Sequence, residues 1–355
     1  MPSSLPRSYK HAVTTVDIEH LKKRMVLVNP DPHFLFDRAV KECKRRPPPA
    51  RTRKKLEEIK KDSLRCIERA HRFLDAYLGR VVETCPFIED LHPLFRELLL
   101  LSVNVNDYKV CLSRLNSSRK ILLKIFREEA RRVKSSESSK EVLLARRSFF
   151  GRTLSVLETL DKCLKEIKLA QQAFLTLPEL DVKLPTVVIA GAPNVGKSTL
   201  LRALTRAKPK VSPYPFTTRE LIVGVLERKG LKIQLVDTPG LLDTPLEEKN
   251  KVERQAVLAI RHIASLIFFV VDPTESCGFP LEFQKTVYDQ LSLNFPGIKI
   301  VKIANKIDIA TKEHIEKLER VFASADFIHV SAENKQNIEK IFETLDSHFS
   351  LPDQG

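Results

Sequence analysis

The sequence predicts an antiparallel helical bundle followed by an α/β domain with a mostly parallel sheet. Three observations support this division. Only Gly79 and Gly151 of the 10 glycines precede residue 181. Residues 1–180 hold 37 Lys and Arg against 23 Asp and Glu, whereas residues 181–355 hold 23 against 22. Short β-branched runs with glycine-containing turns mark the second half, which is typical of α/β domains.

The composition limits the class of protein. The chain has 355 residues, of which 43% are apolar and 30% charged, and its formal net charge is +15. These values exclude collagen-like, wholly disordered and membrane-embedded proteins. The longest apolar run covers only residues 263–271, which is too short for a membrane-spanning helix, so we expect no stable membrane insertion. Six scattered cysteines without a CxxC pair predict free thiols in a reducing compartment.

Proline and charge divide the chain into three regions. Residues 1–50 are predicted to form a basic N-terminal extension with little core of its own, because three consecutive prolines near its end break any helix. Residues 51–178 are expected to form the helical bundle. Residues 181–355 are expected to form the α/β domain, after a short connector bracketed by two prolines.

The bundle is predicted from helical periodicity. Apolar residues recur at the 3.6-residue period from Leu56 onward. Further helices are predicted over residues 107–134 and 140–176, and helices of this length favour an antiparallel bundle. Four basic residues lie about one turn apart on the polar face of the first helix: Lys61, Arg65, Arg69 and Arg72.

A phosphate-binding loop begins the α/β domain. Residues 186–190 form an apolar run typical of a buried parallel strand, and residues 191–198 (GAPNVGKS) match GxxxxGK[ST] before a helical pattern at 199–206. Lys197 is expected to reach the outer phosphates, and the Ser198 hydroxyl to bind Mg²⁺. The predicted nucleotide contacts in this segment are Asn194, Val195, Gly196, Lys197, Ser198 and Thr199.

A second motif follows the strand predicted at residues 232–236. It reads Asp-Thr-Pro-Gly and ends at Gly240. Asp237 is placed to hold Mg²⁺, usually through water. The Gly240 N–H is placed to meet the γ-phosphate and to sense its loss. The segment therefore predicts a nucleotide-sensing loop.

Two further motifs predict the choice of base. The strand predicted at residues 300–304 ends in Asn305, Lys306, Ile307 and Asp308, an NKxD pattern. Asp308 can accept from the N1–H and 2-amino group of guanine, a donor pair that adenine lacks, so the motif selects GTP over ATP. Asn305 and Lys306 are expected to hold this loop.

The last motif follows the strand predicted at residues 327–330. It includes Ser331 and Ala332, and the Ala332 N–H is placed to bond the guanine O6. All four motifs occur in order and at the carboxyl ends of predicted strands, which is where α/β sheets bind ligands. Together they predict a guanine nucleotide site.

These four motifs resemble the signature of translation-factor-class GTPases. Residues 214–218 (YPFTT) look like the switch I segment of the Obg-related branch. Closer still is the NOG (nucleolar GTP-binding protein) family, whose extended switch II is similar to residues 237–250 and whose pattern after the fourth strand is similar to residues 276–278. The resemblance continues in the helical half, at residues 86–93 and 107–109.

The resemblance implies a P-loop GTPase that assists assembly of the large ribosomal subunit. Its cofactors would be GTP or GDP and Mg²⁺, with K⁺ as a further candidate. Its partners would be large-subunit rRNA or a pre-ribosomal particle, and ribosomal proteins, with the chain itself a monomer. Because the chain ends soon after the GTPase domain, we expect the short archaeal-type form in the cytoplasm, or nucleolar placement if the source is eukaryotic.

The resemblance also implies catalytic roles for Lys197, Thr218 and Gly240. Thr217 or Thr218 would bind Mg²⁺, and the resemblance favours Thr218. Leu241 stands where many GTPases have a glutamine that orients the attacking water. We therefore expect slow intrinsic hydrolysis. Asn194 resembles an asparagine that binds K⁺ in related GTPases, but capping of the loop explains this residue type equally well.

Charge placement favours RNA as the partner of the helical half, whose net charge is +14. The basic residues Lys61, Arg65, Arg69 and Arg72 are the first candidates for an RNA-facing stripe, with a salt-bridge face against the other domain as the alternative. The chain has no Trp and only five Tyr, so we expect contacts to RNA shape and phosphates instead of base stacking. Two alternatives stay open. One is a GTP-dependent RNA-binding module in which hydrolysis is incidental. The other is a GTPase whose basic helices bind an anionic membrane surface.

Overall fold

A computed structural model describes residues 18–44, 56–205, 209–216, 219–244, 247 and 249–349. The chain divides into two compact units. The helical unit comprises residues 19–90 and 102–175, and the α/β unit comprises residues 91–101 and the chain from 176 onward. The predicted fold class, a helical region followed by an α/β domain with a mostly parallel sheet, is confirmed.

Six of the first seven helices build the helical unit. The fourth of them belongs to the α/β unit, although its neighbours in sequence are helices of the helical unit. These helices are α1 (Ile18–Arg24), α2 (Pro32–Lys44), α3 (Leu56–Thr84), α4 (Pro93–Leu100), α5 (Val105–Ser135), α6 (Ser139–Glu158) and α7 (Asp161–Leu175).

The core of the helical unit forms along α3 and α5. The predicted apolar face of α3 is confirmed, because Ile67, Leu74 and Leu78 are all fully buried. Helix α3 packs against α2, α5 and α6, and α5 also packs against α7. Helix α2 contributes Leu35 and Ala39 to buried positions. Residues 32–44, which the sequence places in an extension with little core, therefore help to build this unit.

The helix predicted over residues 140–176 is in fact two helices. Helix α6 ends at Glu158 and α7 begins at Asp161, with Thr159 and Leu160 forming a turn between them. The Thr159 hydroxyl donates to the Val156 carbonyl at 2.6 Å, which satisfies one of the free carbonyls at the end of α6. Apolar periodicity could not reveal the break, because buried residues continue at intervals of three or four across it.

The prediction of six free thiols is wrong for two cysteines. Cys43 of α2 and Cys66 of α3 form a disulfide, with their Cα atoms 4.2 Å apart. They lie 23 residues apart in sequence, so only the packing of α2 on α3 shows that they meet. The other four cysteines are free and buried.

The α/β unit is built on a seven-stranded sheet in the order β2-β3-β4-β1-β5-β6-β7. Strand β3 runs antiparallel to both of its neighbours, β2 and β4, and the other neighbouring pairs are parallel. The strands are β1 (Thr186–Ala190), β2 (Lys210–Pro213), β3 (Glu220–Arg228), β4 (Leu231–Asp237), β5 (Ala264–Val271), β6 (Ile300–Ala304) and β7 (Ile328–His329).

Five further helices complete the α/β unit: α8 (Lys197–Leu204), α9 (Lys251–Ala259), α10 (Leu281–Asn294), α11 (Lys312–Phe322) and α12 (Ile338–His348). Helix α4 packs on α9. Strand β1 is fully buried at the centre of the sheet, as its continuous apolar run predicts. Among the described helices, none has both the length and the apolar character needed to cross a membrane.

The sheet brings the predicted motifs to one edge. Strands β1, β4, β6 and β7 each end just before one of the four motifs. Strands β1, β4, β5, β6 and β7 are mutually parallel, so their carboxyl ends share an edge. The candidate site is therefore built by loops at this edge.

Candidate nucleotide site

A cavity of about 620 Å³ opens where the loop after β1 meets the loop after β4. It contains three cationic side chains, which suits a polyanionic ligand. The residues lining it are Pro193, Asn194, Gly196, Lys197, Ser198, Thr199, Arg219, Pro239, Gly240, Asp243, Thr244 and Lys249.

Two glycines shape the loop after β1. Gly191 has φ +140° and Gly196 has φ +98°, values that L side chains rarely adopt. A Cβ on Gly191 would lie 2.2 Å from the Val270 carbonyl oxygen, and one on Gly196 would lie 2.3 Å from Asn305 Nδ2. Helix α8 begins directly after Gly196. The amino end of α8 thus points its free N–H groups at the loop, an arrangement that binds phosphate.

Lys197 is the buried cation of the cavity. Its side chain is only 7% exposed, and its Nζ donates to the carbonyl oxygens of Gly191 and Ala192, each at 2.8 Å. The Asp243 carboxylate lies 4.0 Å from Nζ. Burial lowers the pKa of Lys197, while the nearby carboxylates act in the opposite direction. A buried ammonium with one distant carboxylate is well suited to a phosphate partner.

Ser198 and Asp237 meet as the sequence predicts for a metal site. The Ser198 hydroxyl donates to Asp237 Oδ2 at 2.5 Å. Asp237 is fully buried, and its Oδ1 has no hydrogen-bond partner among the described residues. Burial raises the pKa of Asp237, and the Ser198 hydrogen bond opposes this. A hydroxyl beside a free carboxylate oxygen is the hard donor set that Mg²⁺ prefers. Thr217 and Thr218 lie outside the described residues.

Gly240 is held by a residue that the sequence did not single out. Its N–H donates to Asp243 Oδ2 at 2.6 Å, and Asp243 Oδ1 is buried with no partner among the described residues. Asp243 therefore touches the predicted sensing N–H and also approaches Lys197. The only signal in the sequence is an acid three residues after Gly240, which is weak by itself.

Two cations beside Gly240 were not predicted from the sequence either. Lys249 Nζ donates to the Gly240 carbonyl oxygen and to Thr244 Oγ1, both at 3.1 Å. The Arg219 side chain lies against Gly240, since a Cβ there would be 2.4 Å from Arg219 Nε. Both residues come from loops without periodicity, so only the fold brings them to the phosphate end of the cavity.

Asn305 connects the base-recognition loops to the phosphate loop. Its Nδ2 donates to the Val195 carbonyl oxygen, and its Oδ1 accepts from the Ala332 N–H, both at 2.9 Å. The predicted holding role of Asn305 thus has a specific geometry. The Ala332 N–H, predicted to reach guanine O6, is engaged by Asn305 in this structure.

Lys306 and Asp308 belong to the loop after β6 and are not among the residues that line the cavity. Lys306 Nζ donates to Asp272 Oδ2 at 2.8 Å and to Ser276 Oγ at 3.0 Å. Burial acts to raise the pKa of Asp272, but the hydrogen bond from Lys306 acts against burial, and the pKa lies below its usual value. Asp308 is exposed, and its Oδ2 accepts from Asn334 Nδ2 at 3.1 Å. The exposed carboxylate leaves room for a base.

Ser331 organises the loop after β7. It is fully buried, its Oγ accepts from the Asn334 N–H at 3.2 Å, and its backbone pairs with Gln336. The Asn334 contacts to Ser331 and Asp308 join this loop to the NKxD loop. Asn334 lies outside any short motif, so the sequence did not predict its role.

The structure also describes Asn194 and Leu241, the two residues whose side chains bear on the expected rate of hydrolysis. Asn194 has φ +61°, and its Nδ2 lies 3.5 Å from the Cys277 carbonyl oxygen, a contact that the loop-capping interpretation expects. Leu241 is 1% exposed and packs inward. It carries no atom that could orient water, as its side-chain chemistry predicts.

Comparisons with known proteins divide the chain in the same order. A family model described as the NOG1 N-terminal helical domain matches residues 23–181, and one described as 50S ribosome-binding GTPase matches residues 186–306. An uncharacterized protein of Methanocaldococcus jannaschii is 36% identical over 239 residues, covering 67% of this chain and 67% of that protein.

Nucleolar GTP-binding protein 1 of Drosophila melanogaster is 29% identical over 298 residues, covering 84% of this chain and 46% of that protein. The chain spans about half the length of the animal and microsporidian relatives it matches. A solved Plasmodium falciparum structure, assigned as nucleolar GTP-binding protein 1, is 29% identical with a TM-score of 0.42, and the match covers 49% of this chain and 90% of that one.

Proposed function

Since this chain belongs to the NOG1 family of GTP-binding proteins, we propose that it is a GTP-hydrolysing switch that assists assembly of the large ribosomal subunit. The helical unit would contact rRNA, and the α/β unit would bind and hydrolyse GTP. One observation carries the nucleotide part. The phosphate-end residues Lys197, Ser198 and Asp237 share a sheet edge with the NKxD loop.

The site residues divide the recognition of GTP between them. Lys197 would neutralise charge on the outer phosphates, and the N–H groups at the start of α8 would bind phosphate oxygens. Ser198, Asp237 and Thr218 would hold Mg²⁺, which supplies positive charge to the β- and γ-phosphate oxygens when bound. Asp308 would accept from the guanine N1–H and 2-amino group.

The contacts of Asp243 suggest how the γ-phosphate is sensed. The Asp243 carboxylate accepts from the Gly240 N–H and lies 4.0 Å from Lys197 Nζ. The γ-phosphate is also an anion, and it would accept from the Gly240 N–H and lie beside the Lys197 ammonium. We therefore infer that phosphate and carboxylate compete, so that GTP displaces Asp243 and GDP permits its return. Such a displacement would move the loop that leads to α9.

Hydrolysis is expected to be slow in the isolated protein. Leu241 cannot orient water, so this role would pass to a partner, to K⁺ held near Asn194, or to another residue. Replacing K⁺ with Na⁺ in a single-turnover assay tests whether K⁺ assists hydrolysis. A rate that is the same in both salts would remove the K⁺ role of Asn194.

A second candidate function is a GTP-dependent RNA-binding module in which hydrolysis is incidental. The buried Leu241 favours this alternative. Turnover measured with and without large ribosomal particles separates the two. Stimulation by the particles supports the switch, whereas an unchanged slow rate with intact particle binding supports the module.

The partner is tested by crosslinking in cells followed by sequencing of the bound RNA. We expect enrichment of large-subunit rRNA over small-subunit rRNA and messenger RNA. A protein that fractionates with membranes and yields no enriched rRNA would instead support the membrane alternative. The same cells also report the location, which we propose to be the cytoplasm, or the nucleolus in a eukaryote.

A further inference from the structure

Helix α5 carries a row of cations on one face. The residues are three or four positions apart, so at 3.6 residues per turn they fall within an arc of about 80° and extend over about 21 Å. All five are exposed. We call this set the α5 stripe: Lys120, Lys124, Arg127, Arg131 and Lys134.

The α5 stripe is not neutralised by neighbouring acids. Within the part of the chain that the structure describes, none of its five members forms an ion pair. The acid nearest the arc is Glu128, whose Oε2 accepts from Arg152 Nη2 at 2.8 Å. That hydrogen bond lowers the pKa of Glu128, and the charges of Lys124 and Arg131 add to the effect. Toward the start of α5 the same face carries three small polar side chains and one cation, Lys109, which is paired with Glu89 and is therefore not counted in the stripe. The small side chains are Ser113, Asn116 and Ser117.

This arrangement does not serve the stability of the helix. Like charges placed three or four residues apart repel one another and destabilise a helix. The apolar face of α5, including Leu115, Leu122 and Ile125, is buried inside the unit and provides its packing. An external anion bound along the α5 stripe would offset this repulsion.

The basic face predicted on α3 is a weaker candidate. Arg72 of that face is bonded to Glu68 at 2.6 Å, and Arg69 is only partly exposed. Lys61 and Arg65 are exposed but lie near the start of the helix. The α5 stripe was present in the sequence at regular spacing. It differs from the α3 face because all five of its members are exposed and none is ion-paired among the described residues.

We propose that the α5 stripe binds the phosphate backbone of large-subunit RNA. This rests on the proposed function and names the surface responsible for it. A continuous row of cations about one helical turn apart suits a polyanion whose charges also recur at short intervals. A membrane surface fits less well, because an interfacial helix inserts bulky apolar residues beside its charges. Here Leu115, Leu122 and Ile125 are packed inside the unit, and the two exposed bulky residues of α5, Val110 and Ile121, are too few to form an inserting face.

The test uses the full chain and deproteinised large-subunit rRNA over a salt series. The test variant combines Lys124→Glu, Arg127→Glu and Arg131→Glu. We expect its affinity to fall roughly 30-fold at physiological salt, and the salt slope to decrease by about 2 to 3, because three phosphate contacts are lost. GTP affinity should not change, since these residues lie in the other unit.

A matched control changes the same charge elsewhere in the helical unit. It combines Lys61→Glu, Arg65→Glu and Arg72→Glu on α3. We expect less than about a threefold loss, because these residues lie outside the α5 stripe and Arg72 is already paired with Glu68. The change then removes only longer-range attraction, which salt screens. Equal losses for both variants would overturn the proposal, since net charge alone would then explain binding.

A neutral variant guards against misfolding. Lys124→Gln, Arg127→Gln and Arg131→Gln keep good helix formers at these positions. The affinity for rRNA should again fall, and the thermal unfolding midpoint should be no lower than that of the wild type, because like-charge repulsion is removed. Wild-type affinity in a folded variant would overturn the α5 stripe and leave the proposed function standing. A wild-type chain that binds GTP but no rRNA at any salt would overturn both. Phosphatidylserine vesicles complete the test, because loss of vesicle binding with rRNA binding intact would assign the stripe to membranes.

Discussion

Lys197 and the α5 stripe show two ways of displaying positive charge. Lys197 is 7% exposed, bonded to two carbonyl oxygens, and near one carboxylate. The five cations of the α5 stripe are exposed and form no ion pair within the described residues. A buried ammonium interacts strongly with one phosphate at one place. Exposed charges interact weakly, and they gain affinity only through repetition along a polymer.

This comparison separates specificity from attachment. The enclosed cation shares its sheet edge with the NKxD loop, whose Asp308 we propose to distinguish guanine from adenine. The stripe has no base-reading geometry, so it can position RNA but cannot read its sequence.

The largest effect is expected at the buried cation. Lys197→Ala should weaken GTP binding roughly 300-fold, because truncating one member of a desolvated charge pair is costly. Titration with a fluorescent GTP analogue measures this. The exposed Lys183→Ala in the same unit is the control and should bind normally. If Lys197→Ala bound GTP within fivefold of wild type, the phosphate-site assignment would fail.

The next effect concerns the NKxD loop of the nucleotide site. Asp308→Asn should weaken GTP binding roughly 100-fold and favour xanthosine triphosphate, whose 2-position oxygen needs a donor. Competition between the two nucleotides reports the change, with Asp326→Asn as an exposed control. Comparable binding of ATP and GTP by the unmodified chain would refute the guanine assignment.

A third prediction compares buried and exposed acids within the helical unit. Glu129 is 1% exposed and accepts from Arg132, Arg152 and Ser148, whereas its neighbour Glu128 is 39% exposed and also bonds Arg152. Glu129→Ala should lower the free energy of unfolding by about 2 kcal/mol, because it removes a buried carboxylate that accepts from three side chains and leaves its space unfilled. Urea denaturation measures this.

Glu128→Ala is the matched control, since it removes an acid from the next position of the same helix. We expect no measurable change in its unfolding midpoint, because water can replace an exposed ion pair. Equal midpoints for the two variants would show that burial does not distinguish these acids.

The smallest effect is expected at the competing carboxylate. Asp243→Asn should raise the ratio of GTP to GDP affinity about fivefold, the value of one modest hydrogen bond. The substitution removes the negative charge of Asp243, which competes with the γ-phosphate for the Gly240 N–H, and it leaves the proposed phosphate contacts in place. Paired titrations with GTP and GDP measure this ratio. An unchanged ratio would mean that Asp243 does not sense the γ-phosphate.

The sequence predicted the elements whose signals are local. The bounds predicted for β1 and β6 match the structure, because each is a short apolar run next to a motif. The break at Thr159 was missed because apolar periodicity continues through it. The Cys43–Cys66 pair was missed because contact across 23 residues has no local signature.

The same limit applies to the site. Ser198 and Asp237 were predicted as partners because both belong to motifs with fixed spacing, and the structure brings them together. Arg219, Asp243 and Lys249 come from loops whose path depends on the whole sheet. Only tertiary structure could place them at the phosphate end.

The most direct test is the affinity of the full chain for large ribosomal subunits with each nucleotide. A switch requires the two nucleotide states to differ in affinity for the partner, and coupling of this kind is commonly about 5- to 150-fold. We predict at least roughly fivefold tighter binding with a non-hydrolysable GTP analogue than with GDP, in co-sedimentation at fixed salt. Equal affinity in the two nucleotide states, with both nucleotides bound, would contradict the switch.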